Sequence, residues 1–415
     1  MDIYVSRQPI FDRSQTVIGY ELLYRPGLTD SHHGTDGTEA CLAVILNTFL
    51  FPGERIVAPP GKVFIKVTRE LLLNGVAKTL PSQPTVLEIL EGIEPDEELL
   101  DVCREVKEAG YTLALDDYTI GNELQAPLLD LADIVKVDFM KNTREDSGAL
   151  FQKLANSHRK LLAEKVETPD DFTTAIIMGY AFFQGSFFSK PVIVHGWDIP
   201  RYKRNYMKIL RELSRKELDL HILERIIKQD VTLCYALLKY INSAYFGLRD
   251  EVTSLLRAVV LLGETEVRRW ASLVLFTLMG TDKPPEVVVR SLTRARMCEL
   301  LAEDVGLKGS ECDLFLMGLF SMLDVLIGRP LDEILEGLNL TKGVTEALLG
   351  KESRYRDLYD LVVTYESGEW EQCFQHMSKL NLTTKRITTT YFKAVGWTDE
   401  TSRAGSDQSK QGDAP

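Results

Sequence analysis

Eight short apolar runs, most of them ending on charged or amide side chains, govern what the first half of this chain can become. They are Ile3–Ser6, Val17–Leu23, Val63–Val67, Thr85–Ile89, Thr112–Leu115, Ile134–Val137, Lys160–Ala163 and Tyr180–Phe183. Helical patterns lie between several of them. Asp96–Ala109 repeats apolar residues at Leu99, Leu100, Val102, Val106 and Ala109, and Gly148–Ser157 and Pro169–Met178 are similar. Near-continuous apolar strands alternating with helices predict a largely parallel sheet. Eight such strands predict a TIM-like (β/α) barrel over an open sheet.

The strand ends carry the chemistry. Glu21 lies in the second strand and Lys66 near the end of the third. Glu88 closes the fourth, Asp116-Asp117 the fifth, and Lys136 with Asp138 the sixth. Glu164 and Glu167 follow the seventh, and Gln184 the eighth. In a β/α barrel these ends share one face, so the polar groups are expected to converge on a single mouth. The adjacent aspartates are the sharpest case. Two carboxylates ending a buried strand repel each other unless cations or donors compensate. A solvated loop start or a helix N-cap is the plainer reading of that pair. His32-His33 sits in the Gly27–Gly37 loop, rich in Gly, Ser and Asp, and reads as solvated.

The 415 residues suffice for two or three domains. A net charge of −13 argues against a nucleic-acid-binding surface, which needs basic groups facing phosphates. The six cysteines are scattered with no C-x-x-C pair, so neither a zinc knuckle nor a disulfide framework is expected. No segment has the apolar length of a membrane span, and a cytoplasmic location is expected.

The alternation stops after residue 191. Residues 192–204 read as a linker, with Gly196, Trp197 and Pro200 before the basic run Arg201-Tyr202-Lys203-Arg204. Residues 205–397 show helical periodicity throughout, including Thr232–Ile241, Ser254–Leu262, Glu266–Met279, Glu286–Glu303, Cys312–Ile327, Glu369–Leu380 and Thr384–Val395. Glycines at 247, 263, 280, 306 and 350 sit at plausible helix stops. An all-helical domain is expected there, followed by a polar, disordered tail over 398–415.

Gln8-Pro9-Ile10-Phe11-Asp12 and Gly19-Tyr20-Glu21-Leu22-Leu23-Tyr24-Arg25 resemble the opening of an EAL domain. That family hydrolyses the bacterial second messenger cyclic di-GMP. The likeness continues through Glu88-Ile89-Leu90-Glu91, Asp116-Asp117-Tyr118, Lys136-Val137-Asp138, Glu164-Lys165-Val166-Glu167 and Gln184-Gly185, and spans residues 1–191. It implies a barrel mouth that holds Mg²⁺ or Mn²⁺ if functional. By resemblance, Glu21, Glu88 and Asp116 match metal ligands, and Asp117 and Glu167 match ligands at or near a second metal. Lys136 matches the lysine that positions a nucleophilic water, Gln184 a water- or metal-positioning residue, and Arg25 a contact to ligand phosphate. The family's asparagine ligand on the third strand is replaced by Lys66, whose ammonium has no lone pair for a cation. The family glycine before Val166 is Lys165.

The second half resembles the HDOD domain, a relative of HD phosphohydrolases. The resemblance rests on Ile227–Leu233, Leu237–Gly247 and Ala258–Gly263. Ser321-Met322 stands where an HD enzyme has its His-Asp ligands, which implies a non-catalytic domain. Asn242 and Ser243 read as helix-end structure.

Together the resemblances imply a two-domain bacterial signalling protein. In the favoured reading a degenerate EAL barrel binds cyclic di-GMP or a protein, and the HDOD domain engages a downstream protein. The alternative is a metal-dependent phosphodiesterase that yields pGpG. Neither nucleic acid nor membrane is expected as a partner. The two readings diverge at Lys66: an ammonium ion-paired inside the mouth takes up metal space, and one turned outward leaves it open.

Overall fold

The computed structural model describes residues 3–26, 61–118, 125–139, 141, 150–152, 159–189, 200–215, 218–243, 246 and 252–409. The expected eight strands all form: β1 Ile3–Phe11, β2 Val17–Pro26, β3 Lys62–Val67, β4 Thr85–Ile89, β5 Thr112–Leu115, β6 Ile134–Asp138, β7 Lys160–Glu164 and β8 Phe182–Gln184. They close into one barrel in sequence order. Strands β2 to β8 run parallel, while β1 is antiparallel to both its neighbours. The β1–β2 hairpin needs only a short turn, in which the Asp12 carboxylate accepts from the Ser14 and Thr16 N–H groups.

Inward-facing Ile10, Phe64, Val86, Ala114, Ile134 and Leu162 fill the barrel below the mouth. A barrel of this size has a packed interior, so polar groups concentrate where the strands end. Outside lie helices α1 Arg69–Leu73, α2 Glu97–Glu108, α3 Ala126–Leu131 and α4 Pro169–Ile177. Two have the caps their sequences announce. The Asp96 carboxylate accepts from Leu99 N–H, and Thr168 forms a capping box with Asp171. At β8 the chain turns through Gly185 (φ 150°), where a Cβ would lie 2.0 Å from the Val166 carbonyl oxygen, so only glycine fits.

The remaining helices are α5 Arg201–Leu213, α6 Leu220–Ile227, α7 Val231–Ile241, α8 Leu255–Met279, α9 Pro285–Leu301, α10 Glu311–Phe320, α11 Leu323–Ile327, α12 Leu331–Glu336, α13 Lys342–Leu348, α14 Arg354–Ser367, α15 Trp370–Leu380 and α16 Thr384–Ser409. Gly263 breaks α8 into the two helices expected, with φ 76° and ψ 168°. The single helix expected over Cys312–Ile327 is two, because Ser321 turns its hydroxyl back onto the Gly318 carbonyl at the junction. No helix among the described residues is long and apolar enough to cross a membrane.

Two expectations near the C-terminus need correction. Residues 398–409 are helical, not disordered: α16 runs on to Ser409, with Thr398 fully buried. Residues 410–415 lie outside the described set. The helical region is also not one unit to residue 397. Residues 363–375 and 382–415 cluster with the barrel residues 1–190, and residues 191–362 with 376–381 form the second unit.

A carboxylate cluster bridged by two ammoniums at the barrel mouth

Lys136 is the centre of the mouth. It points inward from β6, and its side chain is fully buried. Its Nζ lies 3.1 Å from Glu21 Oε2, 2.8 Å from Glu88 Oε1, 2.9 Å from Asp116 Oδ1 and 2.9 Å from Glu164 Oε1. These carboxylates come from β2, β4, the end of β5 and β7, so the closed barrel alone brings them together. Parallel register sets the level, with Lys66 opposite Glu88 across β3 and β4. An ammonium has three N–H donors, so it cannot satisfy four carboxylates at once. The shortfall falls mainly on Glu88, and Asp116 Oδ1 shares it, lying near Lys136 with no well-directed hydrogen bond. Glu88 Oε1 is close to Lys136 without a well-directed hydrogen bond, and Glu88 Oε2 accepts none.

Lys66 points into the same mouth. Its Nζ lies 3.0 Å from Asp116 Oδ2 and 3.3 Å from Glu21 Oε1, bridging the two carboxylates from the side opposite Lys136. Gln184 Nε2 donates to Glu21 Oε2 at 2.5 Å and to Gln8 Oε1 at 2.8 Å.

The electrostatics sort the four acids. Burial pulls Glu21 upward, but Lys136 and then Lys66 outweigh it and hold the carboxyl below its ordinary value. Asp116 follows the same pattern and is also lowered. Glu88 is pushed well up, by burial first and Glu21 second, with Lys136 offsetting only part. Burial also raises Glu164 against the pull of Lys136. Burial opposes the charge on Lys136 and on Lys66, but the surrounding carboxylates, Glu21 foremost, hold both ammoniums firmly protonated.

The other expected site residues are placed differently. Asp117, in the left-handed region at φ 41°, turns to Lys141, whose Nζ lies 2.8 Å from its Oδ2. It does not join Glu21, Glu88 and Asp116 on the ammoniums. Glu167 is exposed, and the carboxylate of its segment that reaches Lys136 is Glu164. Lys165 also adopts a left-handed backbone (φ 57°), which explains why glycine suits that position, and its Nζ lies 2.6 Å from Asp138 Oδ2. Arg25 lies in β2, but its side chain falls outside the described set, as do His32 and His33.

The oxygen-rich donor set is of the kind that Mg²⁺ and Mn²⁺ take. The space among those donors, however, is claimed by two cations. A dication beside Glu21 and Asp116 would meet Lys66 and Lys136 at contact range and find no donor at Lys66. Among the described residues no group of three or more His, Cys, Asp or Glu side chains is arranged to hold a metal. The side chains as they stand do not fit a divalent metal, and no chemical step is derived through one.

In the helical unit, Ser321, where the resemblance expects one of the His-Asp ligands, sits in a hydrogen-bonded contact. Arg294 Nη1 donates to Ser321 Oγ at 3.3 Å, and Ser321 donates to Gly318 O at 2.8 Å. Asn242 is structural, since its side chain donates to Val252 O and accepts from Val252 N.

Comparison with known proteins places these features in a family. The EAL domain pattern matches residues 66–191, and the HDOD domain pattern matches residues 199–329. YuxH of Bacillus subtilis is 33% identical over 96% of this chain and 98% of its own length. The cyclic di-GMP phosphodiesterase CdgJ of Vibrio cholerae is 32% identical over 96% of this chain and 93% of its own. Among solved structures, the calcium/cyclic di-GMP complex of Klebsiella pneumoniae BlrP1 is 19% identical, with 46% of this chain and 56% of that one covered at a TM-score of 0.36. With near-complete coverage by two relatives and both domain patterns in order, the chain belongs to the family of EAL–HDOD two-domain proteins.

Proposed function

We propose that this chain is a cyclic di-GMP signalling protein whose barrel holds the nucleotide without hydrolysing it, and whose HDOD region passes that state to a protein partner. The observation that carries the reading is the Lys66 ammonium, set 3.0 Å from Asp116 and 3.3 Å from Glu21. A resident ammonium supplies fixed positive charge at a mouth that must face an anionic diester. It offers no Lewis-acid activation of water, which is the part of the chemistry a metal would bring. The helical region supports an output role by a parallel loss, since Ser321-Met322 stands where the resemblance expects His-Asp ligands, and Ser321 there is held by Arg294.

One observation favours the alternative, a metal-dependent phosphodiesterase releasing pGpG: the Vibrio relative matched over nearly the whole chain bears that name. Incubation of the purified chain with cyclic di-GMP and Mn²⁺, followed by chromatography for pGpG, separates the two. The proposal expects no metal-dependent product. Product that disappears in Glu21→Ala would establish the alternative.

A further inference from the structure

Strand β1 reaches beyond β8. It pairs with β2 along its whole length, but with β8 only at Ile10 and Phe11. The first part of its other edge therefore needs partners for its backbone groups. The partners come from the far end of the chain. The Tyr365 hydroxyl of α14 donates to the Val5 carbonyl at 3.0 Å, and the Arg7 N–H donates to the Tyr391 hydroxyl of α16 at 3.1 Å. The Arg7 guanidinium stacks over the Tyr20 ring and makes a two-pronged ion pair with Asp399 of α16, at 3.0 and 3.2 Å. Arg7 and Asp399 are both buried or nearly so, which makes this a specific joint and not a loose surface pair.

Successive residues of a strand point to opposite faces. Arg7 faces α16, so Gln8 faces the barrel interior, where its Oε1 accepts from Gln184 Nε2 while the same nitrogen donates to Glu21. Gln8 is also the register partner of Glu21. A change in the roll of β1 about its axis would move the Arg7 joint and the Gln8 contact together. The segment 191–362 enters the sequence between β8 and the helices that complete β1.

We propose that the C-terminal helix α16 is a working part of the barrel: Arg7 is a positioning residue that, held by Asp399 and Tyr391, sets Gln8 and through it the Gln184–Glu21 contact at the mouth. The link from α16 through β1 to the mouth gives the chain downstream of the HDOD region a lever on the nucleotide site. This extends the proposed nucleotide binding, so two readouts are needed, one of which does not depend on it.

The experiment uses the full chain and its Asp399→Ala, Tyr391→Phe and Gln8→Ala variants. Hydrogen–deuterium exchange followed by mass spectrometry needs no ligand. In Asp399→Ala, exchange is expected to accelerate at least threefold in peptides covering 3–11 and also in those covering 182–189, while peptides of 285–320 keep their wild-type rates. Unchanged exchange at 182–189 would overturn the proposal, because the joint would then hold only α16 itself. The second readout is calorimetric titration with cyclic di-GMP. Asp399→Ala and Tyr391→Phe should each weaken binding by about threefold to tenfold, the loss expected for one displaced hydrogen bond. In a Gln8→Ala background, Asp399→Ala should have no further effect. Additive losses in that background would refute the route through Gln8. If the wild type fails to bind the nucleotide, the proposed function falls, and the exchange result still decides the role of Arg7.

Discussion

Replacing Lys66 by methionine keeps an unbranched side chain one atom shorter and removes its charge. Each ammonium–carboxylate contact at 3.0 to 3.3 Å corresponds to about 5 kcal/mol of Coulomb attraction at an effective dielectric near 20. Desolvation cancels much of that, and deleting one partner of a buried pair costs about 3–5 kcal/mol. The Lys66 side chain is 30% exposed, and Lys136 remains to share the same acids, so about 3 kcal/mol at neutral pH is the expectation. The sign follows from the shifts. Glu21 and Asp116 are held below their ordinary 4.5 and 3.8, so the stability they draw from Lys66 is complete above those values and is lost as pH falls through the lower folded ones. Lys66 is itself raised above 10.5, so its share persists until the solution is more alkaline than that. The plateau therefore runs from about pH 5 to pH 10. In urea denaturation followed by circular dichroism, Lys66→Met should lower the barrel midpoint by about 1 M at pH 7.5. The difference from wild type should shrink as the pH falls below 3.8 towards about 2.5. An equal loss at both pH values, or a variant more stable than wild type at pH 7.5, would refute the electrostatic account of Lys66.

Three further outcomes follow from the same geometry. Lys66→Asn removes the ammonium and adds a carbonyl donor, so Mn²⁺ should stabilise this variant by about 2.7 kcal/mol at a hundredfold excess over its Kd, while leaving wild type unmoved in the same thermal scan. Lys136→Met takes the central ammonium from four buried carboxylates, and only Glu21 and Asp116 keep Lys66. A loss of about 5 kcal/mol rivals the whole stability of many domains, so the variant should be recovered as insoluble protein, and a soluble product with a wild-type urea midpoint would contradict this. Tyr365→Phe leaves the buried Val5 carbonyl without its donor and should destabilise the barrel unit by about 1–3 kcal/mol, read as a lower urea midpoint; a midpoint equal to wild type would mean another donor replaces the hydroxyl.

Much of the mouth was legible because barrel closure turns sequence position into spatial position. Glu21, Glu88, Asp116 and Lys136 each follow an apolar run, and all four meet. Lys66, expected near the end of the third strand, is carried inward by β3 and meets the same acids. Local backbone geometry was less visible. Asp117 follows Asp116 through a left-handed turn and goes to Lys141, and Glu164 takes the place at Lys136 that the resemblance did not assign to it. Periodicity found the break at Gly263 because glycine marks it in the sequence. It missed the extension of α16, where Asp399 is paired with Arg7, 392 positions away. No local pattern announces a partner at that separation.

The central claim is that resident ammoniums, and not a metal, prepare this mouth for an anionic nucleotide. Calorimetric titration of the wild-type chain with cyclic di-GMP, once in excess EDTA and once in Mn²⁺, tests it directly. The account predicts the same Kd in both buffers. Binding that appears only with Mn²⁺ would contradict it.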